Sequence, residues 1–140
     1  MVYKSNSLKE TENIASAIAK TLKKGDVLCL NGDLGAGKTA FVGGLAKGLG
    51  IGEYISSPTF TIVNCYDGEI PLYHFDVYRI SDSDEMFDIG FDEYLSGDGI
   101  AVIEWSEIIE DILPEHRLDI TIKKDLSVHE NYREIIVEKR

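Results

Sequence analysis

The sequence predicts an α/β fold with a mixed, mostly parallel central sheet that is flanked by helices. Two continuous apolar runs, 27–30 and 100–103, are typical of buried strands. Segments 60–66 and 71–78 are rich in β-branched and aromatic residues, and the turn signal Asp67-Gly68 separates them. These two segments predict an antiparallel hairpin that is inserted into the sheet.

The first predicted element is an amphipathic helix that begins after Ser7. Ser7 and Glu10 form the S-x-x-E pattern of a capping box, and apolar residues then recur on one helical face as far as Leu22. Gly25 is expected to end this helix. Because the first apolar run follows at once, Thr11 could border a ligand bound beside that strand, although a plain surface turn fits the spacing equally well.

A glycine-rich loop follows the first apolar run. It has the pattern G-x-x-x-x-G-K-[ST], with Gly32, Gly37, Lys38 and Thr39 at the fixed positions. Glycines let successive N–H groups turn towards an anion, and the N-terminus of the following helix adds partial positive charge. Lys38 would reach the outer phosphates of a nucleotide, and Thr39 would ligate Mg²⁺. A glycine-rich turn that binds nothing is the alternative, but strand, loop and helix in this order favour a P-loop NTPase-like domain.

The loop Ser57-Pro58-Thr59 precedes the predicted hairpin. In nucleotide switches, a threonine in such a place can contact Mg²⁺ or the terminal phosphate. Turn chemistry around Pro58 explains the same residues equally well. The rest of the chain predicts a short helix within 81–90, a helical turn and loop over 91–99, a helix over 106–112, and strands over 118–123 and 133–137.

Two carboxylates come at the ends of predicted strands, where phosphate-loop enzymes place the acid that faces Mg²⁺. Asp76 follows residues 72–75 in the second segment of the hairpin, and Glu104 follows the second apolar run. One could hold the metal while the other orients water, or either could be a solvated strand end. Trp105 has a core role by default and a site-edge role as the sharper alternative. His74 is expected to pack in the hairpin, and Arg79 to reach phosphate or to form a surface ion pair.

Composition limits the function classes. The formal charge is −11, with 25 acids against 14 lysines and arginines, and we find no basic cluster of the kind that nucleic-acid binding needs. At 140 residues, the chain is expected to be one domain over residues 1–140. Cys29 and Cys65 are expected to be small core residues. The absence of a leader and of an apolar run of membrane length predicts a cytoplasmic protein.

Four blocks of sequence resemble the TsaE (YjeE) family, the bacterial ATPase of tRNA threonylcarbamoyladenosine (t6A) synthesis. The blocks are Gly32–Thr39, Ser57–Phe60, Pro71–Arg79 and Ile103–Glu107. They occur in the family's order and the resemblance covers nearly the whole chain. The H-F-D-x-Y-R block and the E-W pair are far more specific than the phosphate loop, which many families share.

The resemblance implies a protein that needs Mg²⁺, hydrolyses ATP slowly and acts with TsaD and TsaB. Those proteins transfer threonylcarbamoyl to adenosine 37 of tRNAs that read codons beginning with A, so tRNA would be met only through the complex. By analogy, Thr39 and Glu104 hold Mg²⁺, and Asp76 and Thr59 lie near the terminal phosphate. The residues assigned to catalysis are Lys38, Asp76 and Glu104. The residues assigned to the nucleotide are Thr11, Gly35, Ala36, Gly37, Lys38, Thr39, Ala40, Thr59 and Arg133.

Two other function classes share the phosphate loop. A kinase for a small molecule or nucleotide needs an acceptor pocket and usually an arginine-bearing lid, and the sequence shows neither. A GTPase-like switch or a binding module is the third reading. The sequence has no D-x-x-G and no [NT]-K-x-D pattern, which argues against guanine specificity.

Overall fold

The computed structural model of the chain describes residues 1–33 and 35–140, so Leu34, a variable position of the predicted phosphate loop, lies outside the described residues. The strands are β1 Val2–Ser5, β2 Val27–Gly32, β3 Val63–Tyr66, β4 Leu72–Asp76, β5 Ile100–Glu104, β6 Leu118–Lys124 and β7 Arg133–Lys139. The helices are α1 Leu8–Ala19, α2 Lys38–Gly48, α3 Asp84–Asp88 and α4 Phe91–Leu95, with a 3-10 helix at Ser106–Ile112. None of the helices described is long and apolar enough to cross a membrane.

The strands form one mixed sheet in the order β1-β7-β6-β2-β5-β4-β3. The four strands in the middle, β6, β2, β5 and β4, run parallel to one another. The pairs at both edges are antiparallel. The predicted α/β fold is therefore confirmed, but the hairpin β3–β4 forms one edge of the sheet rather than an insertion within it. Edge strand β1 was not predicted.

Helices cover both faces of the sheet, because apolar side chains alternate along the central strands. On one face, Leu28 and Leu30 of β2 and Val102 of β5 pack against α1 and α2. On the other face, Ala101 and Ile103 of β5 pack against α3, α4 and the 3-10 helix. The odd-even alternation of β5 thus decides which of its side chains face α2 and the loop before it.

The predicted capping box starts α1. The Glu10 N–H donates to Ser7 Oγ at 3.1 Å, and the Glu10 carboxylate accepts the Asn6 N–H at 3.3 Å. The helix ends at Ala19 rather than near Leu22, so the prediction that Gly25 ends it is wrong. Gly25, with φ +90°, belongs instead to the turn that leads into β2.

Glycines on α2 bring its backbone against α1. A Cβ atom at Gly44 would lie 2.4 Å from the Glu12 carbonyl oxygen and 2.8 Å from the Ala15 Cβ. A Cβ at the neighbouring Gly43 would meet nothing within 4 Å. The close approach at Gly44 therefore occurs between the two helices α1 and α2.

The two cysteines differ in their surroundings. Cys29 lies inside β2, and burial raises the pKa of its thiol to about 11. Cys65 is exposed on edge strand β3, with its Sγ 3.7 Å from the Tyr94 hydroxyl. The expectation that Cys65 is a core residue is therefore wrong, because an edge strand turns one side chain of each pair towards solvent.

Candidate functional site

The loop between β2 and α2 has the backbone of an anion-binding turn. Gly35 has φ +77° and Gly37 has φ +101°, a region that side chains other than glycine rarely adopt. Gly37 is also the N-cap of α2, so the first free N–H groups of the helix begin at Lys38. At the start of the loop, a Cβ on Gly32 would lie 2.9 Å from a β6 carbonyl oxygen. The glycine positions are thus dictated by backbone conformation and by a close approach to β6.

Arg133, the first residue of β7, donates hydrogen bonds to carbonyl oxygens of this loop. Its Nε donates to the Ala36 carbonyl at 2.9 Å, and its Nη2 to the Gly35 carbonyl at 3.4 Å. Its Nη1 donates to the carbonyls of Glu130 and Tyr132 at 2.9 and 2.8 Å. The guanidinium therefore ties the β6–β7 turn to the loop through carbonyl oxygens.

Lys38 lies where the loop becomes helix, with only a tenth of its side chain exposed. Its Nζ is 3.6 Å from Glu104 Oε1 and 4.7 Å from the centroid of the Trp105 ring. The Trp105 ring in turn packs on Tyr78 at 4.8 Å, and its backbone is left-handed with φ +62°. The ammonium group is thus placed between a carboxylate and an aromatic face, both of which favour a cation.

Glu104 ends β5, and His74 of β4 holds it. His74 Nε2 lies 2.5 Å from Glu104 Oε2, and the imidazole is completely buried. In the described part of the chain, His74 Nδ1 is a buried side-chain atom without a hydrogen-bond partner. The expectation that His74 merely packs in the hairpin missed this contact, because it depends on β4 and β5 being neighbours.

Asp76 lies beside Glu104, since the two residues are register partners at the ends of the parallel strands β4 and β5. Asp76 is 7% exposed, and its Oδ1 accepts the Tyr78 N–H at 3.0 Å. Both carboxylates therefore lie side by side at the carboxyl ends of these strands. Within residues 1–33 and 35–140, there is no group of three or more histidine, cysteine and acidic side chains that could hold a metal ion.

Thr59 belongs to the segment before β3, which brings it to the carboxyl ends of the same strands. Its Oγ1 is 2.8 Å from Ser57 Oγ. Ile62 has a left-handed backbone, with φ +69°, and its carbonyl accepts the Asp76 N–H at 2.8 Å. This bend ties the segment to the end of β4 and sets Thr59 opposite the loop.

These side chains surround a cavity of about 910 Å³. The predicted site residues that line it are Gly35, Gly37, Lys38, Thr39, Ala40, Thr59, Asp76 and Glu104. Trp105 also lines it, which agrees with the site-edge alternative, and the same side chain is partly buried against the core that contains Ile103. The structure thus brings together eight predicted residues from four separate places in the sequence, the loop at 35–40 and positions 59, 76 and 104.

Three predicted nucleotide-binding residues do not line this cavity. Thr11 is 1% exposed, and its Oγ1 is 2.7 Å from Ser5 Oγ, while its neighbours Leu8 and Glu12 line the cavity instead. Ala36 is buried, and its carbonyl accepts from Arg133, which lies on the outer side of the loop. Direct contact of these three side chains with a nucleotide stays a prediction.

Arg79 lies outside the cavity lining as well. Its guanidinium carbon lies 4.7 Å from the centroid of the Phe60 ring, and Phe60 is 82% exposed. Tyr54, which lines the cavity, is 89% exposed. The described contact of Arg79 is thus with an aromatic ring rather than the expected surface ion pair, and its contact with phosphate stays a prediction.

Known proteins are similar to this chain in sequence and in fold. The family model for the threonylcarbamoyl adenosine biosynthesis protein TsaE matches residues 5–135. The tRNA threonylcarbamoyladenosine biosynthesis protein TsaE of Bacillus subtilis (strain 168) is 54% identical over 116 residues, which are 82% of this chain and 72% of that protein. The protein of the same name from Treponema pallidum (strain Nichols) is 45% identical over 119 residues, covering 85% of this chain and 88% of that protein.

A solved structure agrees with these sequence matches. The crystal structure of Bacillus subtilis YdiB superposes with a TM-score of 0.81 and 44% sequence identity, over 96% of this chain and 82% of that chain. The match at this identity extends the likeness from sequence motifs to the whole sheet. This chain therefore belongs to the TsaE family.

Proposed function

We propose that this chain binds ATP with Mg²⁺ in the cavity beside α2, hydrolyses ATP slowly, and takes part in tRNA t6A modification together with TsaD and TsaB. The relatives named as t6A biosynthesis proteins support the role in that pathway. The nucleotide part is carried by one observation: Lys38 lies at the N-terminus of α2, next to two left-handed glycines and two carboxylates.

The residues present fit the triphosphate of a nucleotide. Left-handed glycines before a helix N-terminus aim backbone N–H groups at an anion, and Lys38 adds a full charge. A lysine–phosphate pair about 4 Å apart contributes on the order of 4 kcal/mol at an effective dielectric near 20. Because a triphosphate carries several negative charges, it would attract the Lys38 ammonium more strongly than Glu104 alone does.

The residues also fit Mg²⁺, which prefers oxygen ligands and is usually bound through one or two carboxylates, phosphates and water. Thr39, whose side chain carries a hydroxyl, lines the cavity, and the carboxylate of Glu104 is held on one side by His74. These two side chains would hold the ion. When bound, the ion would neutralise charge on the transferred phosphate.

Asp76 and Thr59 face the cavity from the side of β4 and would act on the terminal phosphate. Asp76 is fixed by the Tyr78 N–H, so its carboxylate can orient a water molecule. Among the described residues that line the cavity, none is an arginine. Since arginine fingers account for large factors in phosphate-loop enzymes, we expect slow turnover by the chain alone.

Exposed aromatic side chains border the cavity and favour a protein partner on this side. Tyr54, Phe60 and Tyr78 are 89%, 82% and 60% exposed. Aromatic residues are enriched in protein interfaces, where their large apolar area is buried. This rim is the surface on which we place TsaD and TsaB.

Reconstitution tests the proposed function. The TsaB–TsaD pair, tRNA and a threonylcarbamoyl donor are incubated with ATP and this protein, and modified tRNA is counted over many turnovers. We expect repeated turnover with the wild-type protein and none beyond background with Lys38→Met. Lys139→Met, an exposed lysine outside the cavity lining, is the matched control. Full turnover with Lys38→Met would contradict the proposal.

A further inference from the structure

The strongest unexplained feature of the site is the buried imidazole of His74. We propose that His74 is a positioning residue that fixes the carboxylate of Glu104 for a cation on its other oxygen. This inference rests on the proposed binding of Mg²⁺ and ATP. It concerns a side chain that would touch neither the nucleotide nor the ion.

The two carboxylate oxygens of Glu104 contact different side chains. His74 Nε2 lies 2.5 Å from Glu104 Oε2, whereas Oε1 of the same carboxylate lies 3.6 Å from Lys38 Nζ. The two oxygens therefore have separate partners on opposite sides. With Oε2 held by a ring that is itself immobile in the core, Oε1 is the oxygen that points to the cavity and to an incoming cation.

His74 has apolar neighbours within the sheet. It is 0% exposed on the sheet face that carries Leu72, the previous inward residue of β4, and its register partner is Val102 of β5. Both of these neighbours belong to the apolar core under α1 and α2. An apolar side chain would satisfy this position, so packing alone gives no reason for an imidazole.

Nδ1 of the His74 ring has no hydrogen-bond partner among the described residues. When Nε2–H donates to the Glu104 carboxylate, Nδ1 is left as a buried acceptor, and the described residues offer it no donor. Leaving a buried polar atom unsatisfied is unfavourable for folding. Such a cost at a site is typical of residues retained for function, and groups that hold a metal ligand from behind commonly change metal affinity 10–100-fold when removed.

The test compares two amides of different reach at position 74. The amide nitrogen of His74→Gln can reach the place of Nε2, whereas that of His74→Asn is one methylene shorter. Isothermal titration calorimetry measures ATP affinity in EDTA and at rising Mg²⁺ concentration, and circular dichroism confirms the fold of each variant. We expect His74→Asn to need about 10–100 times more Mg²⁺ for the half-maximal effect, and His74→Gln to stay within about threefold of wild type. The change in EDTA should be small.

A double-mutant cycle with Glu104→Gln separates positioning from a general packing role. If His74 acts through the carboxylate, His74→Asn should have no further effect on the Mg²⁺ requirement in the Glu104→Gln background. Additive effects would overturn the inference, as would equal Mg²⁺ dependence of the Asn, Gln and wild-type proteins. A wild-type protein that binds no nucleotide would instead overturn the proposed function, and the inference with it.

Discussion

Replacing Gly44 with alanine should destabilise the protein, although alanine is the better helix former. The added Cβ would lie 2.4 Å from the Glu12 carbonyl oxygen, about 1 Å closer than ordinary contact, and 2.8 Å from both the Ala15 Cβ and the Glu12 Cα. Two of these three atoms are backbone, so α1 and α2 must move apart as units. Overpacking of this kind costs about 1–3 kcal/mol. Against this stands a gain of up to about 1 kcal/mol from the higher helix propensity of alanine.

Gly43→Ala is the matched control, because the same substitution one residue earlier in α2 meets open space. It receives the same propensity gain without the clash, so the difference between the two variants isolates the overpacking term. Urea unfolding without nucleotide measures it, provided that the m-value stays constant. We expect Gly43→Ala to be as stable as wild type or more stable, and Gly44→Ala to be about 1–3 kcal/mol less stable than Gly43→Ala, or roughly 3–10 °C lower in Tm. Equal stability of the two variants would refute the helix packing described above.

Three further predictions follow from the site and the core. Asp76→Asn should lower kcat about 100-fold or more with little change in ATP affinity, whereas Glu104→Gln should mainly raise the Mg²⁺ requirement; equal effects on both parameters would leave the two roles unsupported. Arg133→Lys keeps the charge but cannot reproduce the four hydrogen bonds of the guanidinium, so ATP affinity should fall about tenfold. Unchanged affinity would show that these hydrogen bonds are not needed to shape the loop. At pH 8 a thiol reagent should modify Cys65 alone, because burial raises the pKa of Cys29 to about 11 and keeps it protonated below that pH; two reactive thiols without denaturant would contradict this.

The sequence predicts those features that depend on neighbouring residues. The strand, glycine loop and helix around Lys38 follow from local pattern, as do the capping box at Ser7 and the hairpin. What it could not predict depends on strand order and distant contacts. Arg133 reaches Ala36 across 97 positions, and His74 meets Glu104 only because β4 and β5 are adjacent. No local pattern carries that information.

Boundaries and exposure were also beyond local patterns. Helix α1 ends at Ala19 with Lys20 as its C-cap, and Gly25 lies further on, in the turn that leads into β2. Cys65 has an apolar neighbourhood in sequence, but the edge position of β3 exposes it. Gly44 is read from the sequence as a weak helix residue, and only the packing of α1 explains it.

The most direct test of the account is a calorimetric titration of the protein with ATP in the presence of Mg²⁺, repeated with Lys38→Met. If the loop and Lys38 bind the triphosphate, the wild-type protein should bind one ATP, and it should bind GTP more weakly. Lys38→Met should lose up to about a thousandfold in ATP affinity, the equivalent of about 4 kcal/mol. Equal ATP affinity of the wild type and Lys38→Met, or no heat with either, would contradict the account.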